Sequence, residues 1–222
     1  MEFEPNYTVP KMVKNTADQY PEVYAQYKRL PNNEFEPITY RDMFQIALDF
    51  AAALVSVGVK KEDKIGIISD NRAEWQQADI GIMAIGAIDV PRGCDATIID
   101  LEKILSITEA ELVIAENNSQ VKKILSIKEK LPNLKKFICF ENDLKPETLE
   151  LAKSNNVEVV LFSEMLKVGQ KWRIENKGKV EEILEAGTSE DVATIIFTSG
   201  ATGDPKGVVL THKNFLAQLD EL

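Results

Sequence analysis

The stretch Thr194-Ile-Ile-Phe-Thr-Ser-Gly-Ala-Thr-Gly-Asp-Pro-Lys-Gly-Val-Val-Leu-Thr-His-Lys-Asn214 divides into two apolar runs and a loop. Ile195, Ile196 and Phe197 are short enough to make a buried strand, and Val208, Val209 and Leu210 make a second. Gly200, Gly203 and Gly207 between them permit positive φ and let a bulky ligand approach the backbone. Amides freed in such a turn can converge on an anion. Thr198, Ser199 and Thr202 add hydroxyl donors, and Lys206 adds a point charge suited to phosphate. Pro205 restricts φ just before that lysine. The chemistry indicated is a grip on a polyphosphate, with a plain inter-strand turn as the alternative that composition leaves open.

The phosphate loop of nucleotide kinases, G-x-x-x-x-G-K-[ST], does not fit. Gly200 is followed by Gly203, Asp204-Pro205 precede Lys206, and Gly207 follows it. That kinase loop also opens a helix, whereas an apolar strand-like run comes next here.

Outward from the loop, the chain alternates strand and helix. Thr39-Tyr-Arg-Asp42 reads as a capping box, followed at helical spacing by Met43, Ile46, Ala47, Phe50 and Leu54 and stopped at Gly58. Strands are expected at Ile65–Ile68, Ala87–Val90, Leu112–Ala115, Lys136–Phe140 and Val157–Phe162. Helices are expected from Asp70 to near Gly86, over Ile98–Thr108, over Val121–Leu131 and over Pro146–Asn155. Residues 163–190 read as a mostly polar, helical connector. The order predicts an α/β fold, a mainly parallel sheet flanked by helices and built from right-handed βαβ units. The expected division is an irregular lead-in over 1–38, with short strands at 21–25 and 35–39, and an α/β subdomain over 39–222.

Hydrophobic residues at 44% and charged residues at 28% describe an ordinary folded chain, long enough to bury a sizeable core. The formal charge of −10 argues against a nucleic-acid partner. Cys94 and Cys139 stand far apart in a chain with one histidine, so neither a disulfide framework nor a zinc site is indicated. No signal pattern or membrane-spanning run is present, and a cytoplasmic location fits, with a peripheral membrane position left open. Trp75, at the start of an amphipathic helix, reads as a packing anchor. His212 has no acid spaced to orient it, so a catalytic triad is unsupported and a structural role is preferred.

Thr198-Ser-Gly-Ala-Thr-Gly-Asp-Pro-Lys-Gly207, followed by Val-Val-Leu-Thr-His-Lys-Asn214, resembles the signature of adenylate-forming acyl-CoA synthetases. Ala201 departs from it, standing where the family usually carries a hydroxyl. Ile38-Thr-Tyr40, Ala52–Lys60, Asp63–Ser69, Asn71-Arg-Ala-Glu-Trp75 and Ile85–Pro91 extend the resemblance over most of the chain, and Asn-Arg-x-Glu-Trp is most like the long-chain fatty-acid branch.

The resemblance implies the N-terminal portion of the large domain of an enzyme that uses ATP, magnesium and coenzyme A. Such an enzyme joins a carboxylic acid, here a fatty acid, to a thiol through an acyl-adenylate. It places Thr198, Ser199, Gly200, Ala201 (through its backbone), Thr202 and Gly203 around the ATP phosphates. Lys206 neutralises the departing pyrophosphate, and Thr198 ligates magnesium. It further implies that the chain is a fragment that does not turn over alone and whose partner is the remainder of its own protein. A homodimer stays open, as do an aryl, short-chain or amino acid substrate and a non-catalytic binding or dimerisation module.

Overall fold

A computed structural model describes residues 6–30, 32–198 and 205–219. Several helices begin where the sequence supplies a side-chain cap. The Thr39 hydroxyl accepts from the Asp42 amide at 3.1 Å and starts α2 (Tyr40–Ser56). Thr97 and Asp100 form a reciprocal box at the head of α4 (Ile98–Thr108). Gly58, at φ +92°, follows the end of α2 in a conformation costly for a residue with Cβ.

Seven strands form one sheet in the order β7 (Glu158–Leu161), β6 (Lys136–Cys139), β5 (Leu112–Ala115), β3 (Lys64–Ile68), β4 (Ile88–Arg92), β8 (Val192–Thr198) and β9 (Lys206–Thr211). Every neighbouring pair is parallel except β8 with β9. The expected α/β architecture is therefore present. A separate antiparallel hairpin joins β1 (Tyr24–Arg29) to β2 (Phe35–Thr39).

Strand alternation sends side chains to two layers. Ile65, Ile67, Ile114 and Ile138 face α2, α3 (Ala73–Ala84), α7 (Phe162–Glu175) and α8 (Lys179–Ala186). Ile68, Val113, Ala115 and Phe137 face α4, α5 (Asn118–Leu125) and α6 (Pro146–Ser154). Each fully buried Ile or Phe contributes roughly 2–3 kcal/mol of transfer free energy.

Some expectations shift. The lead-in contains a helix, α1 (Val9–Gln19), capped by Thr8, whose hydroxyl lies 3.4 Å from the Lys11 amide. Its Thr-Val-Pro start fits an N-cap followed by proline in the first turn, where a missing N–H costs nothing. The expected helix 121–131 is α5 plus a short 3-10 turn at Lys128–Lys130. The connector over 163–190 is helical, as expected, with Met165, Val180 and Leu184 anchored in the main core. Val208 and Val209 form a strand, but at an open sheet edge, 42% and 55% exposed.

The fully buried triplet Ala51-Ala52-Ala53 makes α2 narrow enough for close approach on two sides. On one side a Cβ at Gly81 of α3 would stand 2.8 Å from the Ala47 carbonyl oxygen; on the other, a Cβ at Gly169 of α7 would stand 1.7 Å from that of Asp49. The Arg173 guanidinium then clamps α7 to α2 through Asp49 at 2.6 Å. Gly169→Ala is expected to cost about 3 kcal/mol or more in urea denaturation. Gly58→Ala, strained only by its φ and with open space around it, is expected to cost about 1 kcal/mol. Equal losses would show that the α2–α7 contact yields.

Candidate functional site

β8 lies parallel to β4 with Thr194 opposite Asp89, and the Thr194 hydroxyl donates to the Asp89 carbonyl at 3.2 Å. β8 then turns back antiparallel into β9, with Thr198 opposite Lys206. Both ends of the glycine-rich loop are thus register partners, and both side chains are exposed. Ser199, Gly200, Ala201, Thr202 and Gly203 lie outside the described residues. Gly207 allows tight closure, since a Cβ there would sit 3.1 Å from Ile195 and 3.2 Å from the Phe197 ring.

Because β8 runs parallel to the central strands, Thr198 emerges at their carboxyl ends. From β3 the chain crosses to β4 on one side, then returns past β3 to β5 on the other, as the sheet order requires. Ligands of open α/β sheets bind at such a reversal, outside the carboxyl ends. A cavity of about 630 Å³ opens there, lined by Ser69, Asp70, Asn71, Trp75, Arg92 and Phe197, among others. Trp75 both packs on the core, as expected, and walls this cavity. A cleft of about 330 Å³ also exists at the amino ends of β3, β5 and β6, bordered by Lys64, Leu112 and Lys136. It lies at the opposite edge from the loop and is not favoured by the topology.

The sequence reading assigned none of the cavity residues to a ligand, and Arg92 and Glu116 carried no expectation at all. Ser69, Arg92 and Glu116 share a signal that could have found them: each ends or directly follows a buried strand of a βαβ unit. Glu116 braces this edge, one carboxylate oxygen accepting from the Ser69 hydroxyl (3.0 Å) and the Asp70 amide (2.9 Å). Asp70 accepts from the Cys94 amide at 3.0 Å, and Lys123 donates to the carbonyls of Cys94 and Ala96. Asp70, Cys94 and Glu116 approach one another closely enough to suggest a metal centre. Burial, with the Glu116 charge behind it, pushes the Cys94 thiol up to about 11, so it stays protonated at neutral pH. The carboxylates already serve backbone donors. This cluster is a structural brace.

A second network holds the far ends of the hairpin. The Lys11 ammonium is buried among the carbonyls of Asn6, Glu185 and Gly187. Asp191 accepts from the Thr188 amide (3.0 Å) and from Lys61 (2.7 Å), and its carbonyl accepts from the His212 amide at 3.1 Å. Asn214, in the first turn of α9 (His212–Leu219), accepts from the amide and hydroxyl of Thr211, the residue before the helix. His212 is buried, its Nδ1 facing the Val9 amide at 3.4 Å. The imidazole joins α1 to α9, a structural position.

Burial lowers the pKa of His212 to about 4, outweighing Asp191, which acts to raise it. The unfolded ring takes a proton below about 6.5, while the folded ring stays neutral to about 4. The stability it contributes is therefore full above about pH 6.5 and lost as pH falls toward 4. From about pH 7.5 to pH 5 the loss is expected to reach about 2 kcal/mol. The half-buried Asp79 and buried Asp89 carboxyls, both raised chiefly by desolvation, give an opposing slope because they favour their protonated forms. Comparison of urea unfolding in the wild type and His212→Gln cancels that contribution. The variant should lack the His212 slope, and identical pH dependence would refute the assignment.

A family model described as "AMP-binding enzyme" matches residues 13–222. The chain is 33% identical over 224 residues to the probable acyl-activating enzyme 16, chloroplastic, of Arabidopsis thaliana, covering 97% of this chain and 30% of that protein. It is 29% identical to the chloroplastic long-chain-fatty-acid–[acyl-carrier-protein] ligase AEE15 of the same plant, covering 96% and 29%. Among solved structures, the anthranilate CoA ligase AuaEII in complex with anthranoyl-AMP superposes with a TM-score of 0.77 at 19% identity, over 99% of this chain and 37% of that one. The chain thus spans about 30% of the length of these curated relatives. No helix among the described residues is long and apolar enough to cross a membrane. A mainly parallel sheet that delivers a Thr/Ser/Gly/Lys loop to its carboxyl edge, matched by the family model over nearly its whole length, makes this chain a member of the AMP-binding enzyme family.

Proposed function

We propose that the chain is the phosphate-gripping part of an AMP-forming acid–thiol ligase that activates a long-chain fatty acid with ATP. A carboxylate oxygen of the acid attacks the α-phosphorus, the bond to the bridging oxygen breaks, and pyrophosphate leaves an acyl-adenylate behind. The sulfur of coenzyme A then attacks the acyl carbon and AMP departs. The observation that supports this most is the pairing of Thr198 with Lys206 at the mouth of the loop, at the carboxyl edge of the parallel sheet.

In this reading Thr198, Ser199 and Thr202 donate hydroxyls to the β- and γ-phosphates, while Gly200, Ala201 and Gly203 offer backbone amides. Lys206 offsets the charge that accumulates on departing pyrophosphate. Thr198 is exposed and its hydroxyl has no hydrogen bond to the described residues, which fits a single protein ligand to magnesium. That ion offsets phosphate charge when bound and takes most of its ligands from water and phosphate. Val209 is exposed on one face of the edge strand β9, while Ile196 and Val208, register partners, form an exposed apolar face on the other. We take that face to be covered by further chain in a longer protein, as the length of the relatives suggests.

A second acceptor is favoured by one specific relative, whose name makes its thiol partner an acyl-carrier protein. Mass spectrometry of products from the intact protein, given ATP, palmitate and either coenzyme A or carrier protein, separates the two. In the intact protein Lys206→Ala is expected to slow acyl-adenylate formation about 100-fold, the loss of roughly 3 kcal/mol of charge stabilisation. An undiminished rate would end this reading. The present chain alone is expected to release no pyrophosphate from ATP, coenzyme A and palmitate.

A further inference from the structure

We propose that Arg92 is an oxyanion-binding residue of the carboxyl-edge cavity, one that receives a carboxylate or phosphate of the substrates. It is the last residue of β4, and its carbonyl is fixed by the Ser69 amide at 3.0 Å. Its side chain lines the cavity. Its Nε is buried with no hydrogen-bond partner. The other arginines are all engaged: Arg29 with Asn33, Arg41 with Glu22, Arg72 with Glu74, and Arg173 with Asp49 and Glu181. Arg92 alone has no ion pair or hydrogen bond through its guanidinium among the described residues.

A buried N–H without an acceptor is unfavourable unless something supplies the acceptor. A guanidinium offers a planar fork that matches the two oxygens of a carboxylate or phosphate. Trp75, Pro91 and Phe197 give the same solvent-open cavity apolar walls beside the fork, and Asp70 is the acidic residue of its lining. By the parallel register that sets Asp89 opposite Thr194, Arg92 falls beside Phe197, one residue before Thr198. The anion held there would thus lie next to the phosphate loop. The inference rests on the carboxyl edge being the substrate site, and deepens that reading by adding a cation supplied from β4.

The test is calorimetric titration of the 222-residue chain with inorganic pyrophosphate and, separately, with octanoate. Wild type, Arg92→Gln, Arg92→Lys and Lys206→Ala are compared, with circular dichroism melts checking the fold. At least one of the two anions is expected to bind, and Arg92→Gln to weaken it tenfold or more. Arg92→Lys, which keeps the charge but lacks the fork, is expected to weaken it less, and it serves as the variant if Arg92→Gln does not fold. Octanoate binding that falls in Arg92→Gln but not in Lys206→Ala identifies the carboxylate as the anion. Pyrophosphate binding that falls in both identifies the phosphate. Arg92 variants that titrate like wild type, or a wild type that binds neither anion, overturn the proposal. Pyrophosphate binding that depends on Arg92 and is unaffected in Lys206→Ala supports the proposal while refuting the reading of the loop.

Discussion

The contact on which the rest depends is the near-touching of α2 and α7 at Gly169, where the α7 backbone lies against the Asp49 carbonyl. After β7, at one end of the sheet, the chain must travel back across the α3 side to place β8 beside β4. α7 and α8 are that return path. They lie flat only because α2 presents Ala51, Ala52 and Ala53, and because Gly169 has no Cβ. A bulkier α7 would stand off from α2, and the loop would be carried away from the carboxyl ends of the central strands.

Electrostatics divide the molecule in the same way. Charges that hold structure are paired or capped: Lys11 on three carbonyls, Asp49 on Arg173, Asp191 on Lys61, Glu116 on Ser69 and Asp70. Glu116 stands at the carboxyl edge of the sheet, Lys11 and Asp191 hold the ends of the β8–β9 hairpin away from the loop, and Asp49 holds the α2–α7 contact. Lys206 and Arg92 have no such partners among the described residues. Positive charge held in no hydrogen bond or ion pair among the described residues, though the Arg92 charge reaches Asp100 and Asp70 shares its cavity, suits an anionic ligand in a chain of net charge −10.

Desolvated acids form a third theme. Asp79 and Asp89 face each other beneath α3, with one Asp89 oxygen lacking a partner. Desolvation outweighs every favourable contact there, so the pair favours carrying a proton. His212 shows the same force with the opposite sign, kept neutral by burial between α1 and α9. Both are consequences of packing that no local sequence pattern reveals.

The sequence by itself determined the alternation of strands and helices, because buried runs such as Ile65–Ile68 and Leu112–Ala115, separated by capped amphipathic stretches, have one compact solution, the parallel sheet. It also carries what is proposed for the loop, since hydroxyls, glycines and Lys206 are local features. It missed α1, whose single turn of cap signal sits in a polar, proline-bearing segment. Exposed Val208 and Val209 looked buried, because an apolar run at a sheet edge reads like one at its centre. The cavity and the Glu116 brace behind it were decided only by tertiary structure: Ser69 bonds to Arg92 and, 47 residues away, to Glu116 because parallel strands end together. That meeting depends on strand order and crossover direction, which depend on contacts between distant helices and not on any stretch read alone.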